Sequence, residues 1–285
     1  MGEPPPLSRR MNHADPQYLD SKQSVDRRAL SPRVRERLMA ALPDDPRILE
    51  AGCGTGTMVA RLHDWGVDGG TYRGVDRSPA VLEHARKQRI AEFDAEPIDS
   101  GFRIEGLVVR FEQGDALSAF DGENADLLVA ASFLDLVPIR VAFDAFEAAL
   151  GPSSLVYAPL TFDGRTIFQP DHPADGAITA AYHDAIDERP GRDTHAGRHV
   201  LDHLRERDGS LLSVASSDWI VRPRDGTYPG EERTFLAAIL GFVETAVGDR
   251  SEANDWLKTR RRQLEAGTLS YVAHQYDFLY RTPEP

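Results

Sequence analysis

One short stretch carries the densest chemical signal in the chain: Glu50-Ala-Gly52-Cys-Gly54-Thr-Gly56. Residues 47–51 read as a short strand, and a helical pattern starts near Thr57. Glycines between a strand and a helix permit a tight turn and a close approach of backbone to a ligand. Their spacing selects the ligand. A dinucleotide loop reads G-x-G-x-x-G, whereas here the glycines fall as G-x-G-x-G with an acid two residues earlier. A triphosphate loop ends in Gly-Lys-Ser/Thr, whereas here Gly56-Thr57-Met58 follows and no basic residue is at hand. The loop therefore serves neither a pyrophosphate nor a triphosphate well.

Further candidates follow in order. Asp76 and Arg77 close a second short strand, 71–75, and Asp76 comes 20 residues after Gly56. Gly114-Asp115-Ala116 ends a third strand, expected over 103–113. The apolar run 125–131 reads as a strand buried on both faces and leads into Ser132, Phe133 and Asp135. A fifth strand is expected over 154–160. Strands alternating with helices imply βαβ units and a parallel sheet.

In this order the four segments resemble class I S-adenosylmethionine-dependent methyltransferases, over about residues 45–160. Glu50 to Gly56 is similar to that family's first motif, (D/E)-x-G-x-G-x-G. The resemblance implies an α/β fold: a Rossmann-like, mostly parallel sheet with helices on both faces and an antiparallel last strand. It also implies S-adenosylmethionine as cofactor. Asp76 would accept both ribose hydroxyls, a task for a carboxylate because it takes two O–H donors. Arg77 adjoins it. Asp115 and Ala116 would hold the adenine. Glu50, Gly52, Cys53, Gly54 and Gly56 would hold the methionine end, and Ser132 and Phe133 would floor the site. Tyr18 and Arg28 are candidates for closing over it, Arg28 as a partner of the cofactor carboxylate or as part of an ordinary amphipathic helix.

The reaction so implied is in-line methyl transfer to a small-molecule acceptor, in which the protein chiefly positions a nucleophile. Protein methylation, or a nucleoside-binding relative that does not methylate, are the alternatives. No metal is required, and the acidic residues form no obvious magnesium site. The Asn/Asp-Pro-Pro-Tyr/Phe motif of nucleobase methyltransferases is missing after the fourth strand. Asp135, Tyr157, His183, Asp218, Tyr228 and His274 are the candidates for touching substrate. Each also has a plain structural reading, Asp135 as a cap and Tyr157 and His274 as core. His195, His199 and His203 share one helical face, read here as a solvated face rather than a metal site.

The elements that position these groups are expected as follows: a disordered tail over 1–15, a cofactor core over 16–161 with an N-terminal helix, a mainly helical substrate cap over 162–266, and a last strand in 267–285 returning to the sheet. Helices are expected near 174–188, 195–208, 231–247 and 252–266, with a strand near 211–221. The 285 residues carry 33 basic and 46 acidic side chains, a formal charge of −13. Such a balance repels phosphate backbones and anionic lipid, so neither nucleic acid nor membrane is an expected partner. Arginine supplies 30 of the 33 basic residues, which fits either GC-rich coding or salt adaptation. A single cysteine forms no internal disulfide, and the cytoplasm is the expected compartment.

Overall fold

A computed structural model describes residues 13–248 and 251–284. Most of the expected tail lies outside the described residues. Within it, Asp15 is buried and caps the first helix by accepting the Gln17 amide at 3.0 Å.

The chain divides into two units. Of the described residues, one holds 29–164, 190–218 and 274–284; the other holds 13–28, 165–189, 219–248 and 251–273. Residues 190–218, read from sequence within the cap, fall in the first unit, and the N-terminal residues up to 28 fall in the second.

The first unit is built on the expected alternation. β1 (Arg47–Ala51) pairs in parallel with β2 (Thr71–Asp76) and with β6 (Ala125–Val129). β2 pairs in parallel with β5 (Leu107–Gln113), and β6 with β7 (Leu150–Gln169). These five strands are the parallel centre. β1 and β6 bury nearly every side chain, as strands covered on both faces must.

The expected strand over 103–113 is instead a hairpin. β4 (Gly101–Ile104) turns at Glu105-Gly106 and returns as β5, with the short β3 (Glu96–Ile98) on its outer edge. Glu105 takes a left-handed φ of 52°, and the glycine after it completes the two-residue turn. The alternating apolar residues on either side of Glu105-Gly106 disguised the reversal.

β10 (Ser270–Arg281) is antiparallel to β8 (Ser210–Ser216). It also lies beside β7: the Leu160 amide meets Asp277, and the Thr282 amide meets the Ser154 carbonyl. The expected strand over 211–221 is two, β8 and β9 (Trp219–Val221), both paired along β10.

Helices cover the sheet. α4 (Thr57–Asp64) follows the glycine loop, and α5 (Pro79–Phe93) starts at a Ser78 cap. α6 (Ile139–Ala149) and α8 (Ala196–Arg205) pack their apolar stripes on one face, where Phe143, Phe146 and Val200 meet Leu49, Leu128 and Phe278. α3 (Pro32–Met39) is capped by Ser31 and buries Val34 and Leu38.

The second unit is mainly helical, with α1 (Pro16–Ser21), α2 (Gln23–Ala29), α7 (Asp175–Asp187), α9 (Glu232–Val247) and α10 (Ser251–Glu265). α9 buries Phe235, Leu236, Ile239, Leu240 and Val243 on several sides, as a central helix does. Arg260 of α10 is fully buried; its terminal nitrogens meet the Asp175 carboxylate and the Pro170 carbonyl (2.6 Å), its guanidinium lies 5.3 Å from the Trp256 ring, and its Nε makes no hydrogen bond within the protein.

Candidate cofactor site

The glycine loop leaves β1 at the carboxyl edge of the parallel strands, where ligands of open α/β sheets bind. Gly52, Gly54 and Gly56 have φ values of 70°, 52° and 69°. A side chain at Gly52 would stand 2.8 Å from the Phe133 ring, and one at Gly56 would stand 2.5 Å from the Phe111 ring. Only glycine satisfies both demands.

The loop amides face inward. Gly52 and Cys53 donate to the Val75 carbonyl at 2.9 and 3.1 Å, Gly56 donates to the Cys53 carbonyl, and Gly54 donates to the Asp76 carboxylate at 3.1 Å. A phosphate cradle would aim such amides at its anion. Here four are committed to the fold instead. Thr55, in the middle of the loop, is buried with a hydroxyl that makes no hydrogen bond within the protein. That orphaned hydroxyl is a polar group available to a ligand.

Asp76 ends β2 and holds two segments at once. One oxygen accepts Gly54 N–H and the other accepts Ser78 N–H at 2.9 Å. Each carboxylate oxygen has two lone pairs, so acceptor capacity is left for hydroxyl donors. Arg77 and Asp115 form an exposed ion pair at 2.7 Å across the ends of β2 and β5. The Leu117 amide and then Arg77 hold the Asp115 carboxyl below its usual range. Ala116 is buried beneath.

Glu50 points into the core and is almost inaccessible. Tyr72 donates its hydroxyl to the Glu50 carboxylate. Burial pushes the Glu50 carboxyl well above the usual range, Arg61 opposes the rise and Asp76 adds to it. Burial likewise raises the Cys53 thiol, so Cys53 is a neutral space-filler against Gly74. Tyr72 and Arg61 were not legible as site-supporting residues, because neither stands in a recognisable spacing.

Ser132 and Phe133 leave β6 through a left-handed Ser132, φ 48°, whose amide donates to the Pro159 carbonyl at 3.0 Å. Leu160 beside it also has positive φ, 59°. A bulky residue rarely adopts that conformation. Asp277 holds it in place, one carboxylate oxygen accepting Leu160 N–H at 2.9 Å and the other Ser31 N–H at 2.7 Å. Burial raises the Asp277 carboxyl, and those two amides oppose the rise. The last strand thereby braces the carboxyl edge, a role its sequence did not announce.

The remaining candidates divide between the units. Asp135 follows Phe133 in a short 3-10 turn (Leu134–Leu136), and its carbonyl accepts the Asp193 amide. Tyr157 is fully buried on β7 and its hydroxyl has no hydrogen-bond partner. His274 is hydrogen-bonded through Nδ1 to Asp218 at 2.7 Å. In the second unit, Tyr18 stacks on Phe235 and meets Phe242 edge-on, and Arg28 pairs with buried Glu232. There too His183 meets the Thr166 hydroxyl at 2.9 Å, and Tyr228 donates to the Leu269 carbonyl.

The solvated histidine face is corrected. Only His199 is exposed; His195 precedes α8 and its ring crowds Gly164, while His203 lies over the Phe143 ring. Burial, then Arg207, lowers the His203 pKa. Among the described residues no three ligating side chains gather as a metal site.

Residues 43–143 match the family model described as a methyltransferase domain. Among solved structures, the chain is similar to the [4+2]-cyclase SpnF, with 14% identity, a TM-score of 0.51, and coverage of 95% of this chain and 94% of that one. It also resembles a protein solved for the conversion of a disulfide bond into a thioacetal group during echinomycin biosynthesis (18% identity, 88% and 82% covered, TM-score 0.47). A third is geranyl diphosphate C-methyltransferase from Streptomyces coelicolor A3(2), solved with S-adenosyl-L-homocysteine (14%, 87% and 75% covered, TM-score 0.47). No curated protein matches the chain.

The matched segment contains the glycine loop, Asp76, Asp115 and the Ser132–Asp135 turn. By that match, residues 43–143 are similar to a methyltransferase domain. No helix among the described residues is long and apolar enough to cross a membrane.

Proposed function

We propose that the protein transfers the methyl group of S-adenosylmethionine to a small-molecule acceptor in the cytoplasm. The observation that carries this reading is the Asp76 carboxylate, which fixes the glycine loop through Gly54 and keeps lone pairs for the ribose. Glu50 and Tyr72 stiffen the loop from beneath. Thr55 offers its hydroxyl to the methionine end, and Asp115 with Ala116 borders the adenine. Ser132 and Phe133 form the floor. When bound, S-adenosylmethionine supplies a methyl carbon activated by its sulfonium. The protein's share is to orient an acceptor in line with it and to exclude water. Asp135, Tyr157, Asp218 and His274, all in the first unit, are the candidates there for contacting the acceptor. A charge of −13 opposes nucleic-acid substrates and leaves small molecules as the favoured class.

Isothermal titration with S-adenosylmethionine and S-adenosylhomocysteine tests the reading. Both ligands are expected to bind at one site per chain; binding by neither would sink it. The [4+2]-cyclase neighbour shows that this fold serves more than one chemistry. Release of S-adenosylhomocysteine in the presence of acceptors separates methyl transfer from a nucleoside-binding role without turnover.

A further inference from the structure

We propose that Gln275 and Ser217 are specificity-determining residues that hold a neutral carbonyl oxygen of the acceptor. The inference rests on the methyl-transfer reading above and adds to it a group that the acceptor must carry.

Both side chains are 1% exposed. Gln275 Nε2 makes no hydrogen bond within the protein. The Ser217 hydroxyl lies near the Asp277 carboxyl, yet it makes no hydrogen bond of ordinary geometry. A buried polar group without a partner is costly, and the great majority find one. Two such groups on neighbouring strands point to an atom that the chain itself does not supply.

The β10 ladder puts them side by side. Ser216 stands opposite Tyr276, and at the next step the Ser217 amide donates to the Gln275 carbonyl at 2.9 Å. Residues facing each other in this way project from the same face of a sheet. Asp277, two residues along β10 from Gln275, shares that face.

Contacts with β7 set the height of the pair. The Thr282 amide meets the Ser154 carbonyl at 2.9 Å, and the Leu160 amide meets the Asp277 carboxylate at 2.9 Å. β10 therefore runs against β7, and Gln275 comes past Leu160 in the direction of the carboxyl edge. The Ser132 amide, just beyond β6, reaches the Pro159 carbonyl at 3.0 Å. Gln275 and Ser217 thus stand beyond the carboxyl end of β6. β7 lies between β6 and β10, so Gln275 is two strand spacings, about 10 Å, to the side of the turn that carries Ser132 and Phe133. In open α/β sheets that edge is where ligands bind.

The donor set selects the ligand. An amide nitrogen only donates, and a hydroxyl can donate, so the missing atom is an oxygen with free lone pairs. Two carboxylates border it. Asp277 is one, and Asp218, which accepts the Gln275 amide at 3.4 Å, is the other. An anionic oxygen would meet like charge there. A ketone or amide oxygen meets the same donors without that repulsion.

The test uses the full chain saturated with S-adenosylhomocysteine. Calorimetry follows acetophenone, benzamide, α-methylstyrene (the ketone's shape without its oxygen) and benzoate. Acetophenone and benzamide are expected to bind at least about tenfold more tightly than α-methylstyrene and benzoate. Gln275→Met and Ser217→Ala should each weaken the two carbonyl probes by about five- to tenfold and leave α-methylstyrene unchanged. Their melting temperatures and affinities for S-adenosylmethionine should match wild type, because the groups removed have no partner in the protein. In a crystal of the acetophenone complex the ketone oxygen is expected against Gln275 Nε2. The proposal is overturned if acetophenone and α-methylstyrene bind alike or neither binds, if both variants keep the ketone's affinity, or if a water molecule alone occupies Gln275 Nε2 in that crystal. The methyl-transfer reading fails separately, by loss of binding to both S-adenosylmethionine and S-adenosylhomocysteine, and the carbonyl preference is then read from the same titrations without cofactor.

Discussion

The Asp76 carboxylate and the Gly54 amide meet at 3.1 Å, joining the end of one parallel strand to the middle of the glycine loop that leaves its neighbour. One side chain therefore shapes the loop, and in the proposed function it also holds the ribose; the two roles can be separated. Asp76→Ala should weaken S-adenosylmethionine binding by about 1–3 kcal/mol through loss of charge-assisted hydrogen bonds. Asp76→Asn should lose less, since its amide oxygen can still accept from Gly54. Titration calorimetry on the two variants decides this, and equal affinity in wild type and Asp76→Ala would remove Asp76 from the ribose.

Gly52 lies under the Phe133 ring with a left-handed φ of 70°. Gly52→Ala forces a side chain to within 2.8 Å of that ring and should cost about 1–3 kcal/mol of stability. Adding Phe133→Leu should recover part of the loss if the clash is the cause. A denaturant double-mutant cycle measures the coupling, and strict additivity would place the cost in the backbone alone.

Glu50 is buried with its carboxyl raised well above the ordinary range, mainly by burial. Its folded pKa exceeds its unfolded value, so the folded chain holds the proton more tightly. The stability linked to that proton is complete below about pH 4 and is lost as pH rises through the folded pKa. Glu50→Gln keeps an acceptor for Tyr72 without the charge. Its melting temperature relative to wild type should therefore climb from pH 4 to 8, whereas a constant difference would show that no ionisation is involved.

Tyr157 has a fully buried hydroxyl with no partner in the protein. Removing an unsatisfied buried hydroxyl relieves a desolvation cost, so Tyr157→Phe should leave stability unchanged or raise it by about 1 kcal/mol. If that hydroxyl instead touches the acceptor, the variant will keep its stability and lose turnover. Thermal melts paired with S-adenosylhomocysteine release distinguish the two roles.

The glycine loop and the place of Asp76 beside it were legible because these residues sit close together in the chain. Gly52, Gly54 and Gly56 are dictated by backbone conformation, and Asp76 by its place at a strand end, so spacing along one βαβ unit encodes them. Alternation of apolar runs likewise announced the parallel strands and most helices, since side-chain period follows local backbone geometry. The hairpin at Glu105-Gly106 escaped because a continuous alternating pattern looks the same whether the strand runs on or reverses. Neither Glu50's inward turn to Tyr72 nor Asp277's hold on Leu160 was visible. The Asp277 contacts with Ser31 and Leu160 bridge 246 and 117 residues of chain, and no local pattern records partners that far apart. His274 and Asp218 were each recognisable from sequence as polar groups in unusual company, yet 56 residues separate them and only the β10 ladder brings them within 2.7 Å. The sequence by itself determined a glycine loop between strand and helix and the sheet that carries it. Tertiary structure decided which carboxylates are buried as braces and which histidine is paired with a carboxylate, because both depend on strand register and burial, which arise only when distant segments pack.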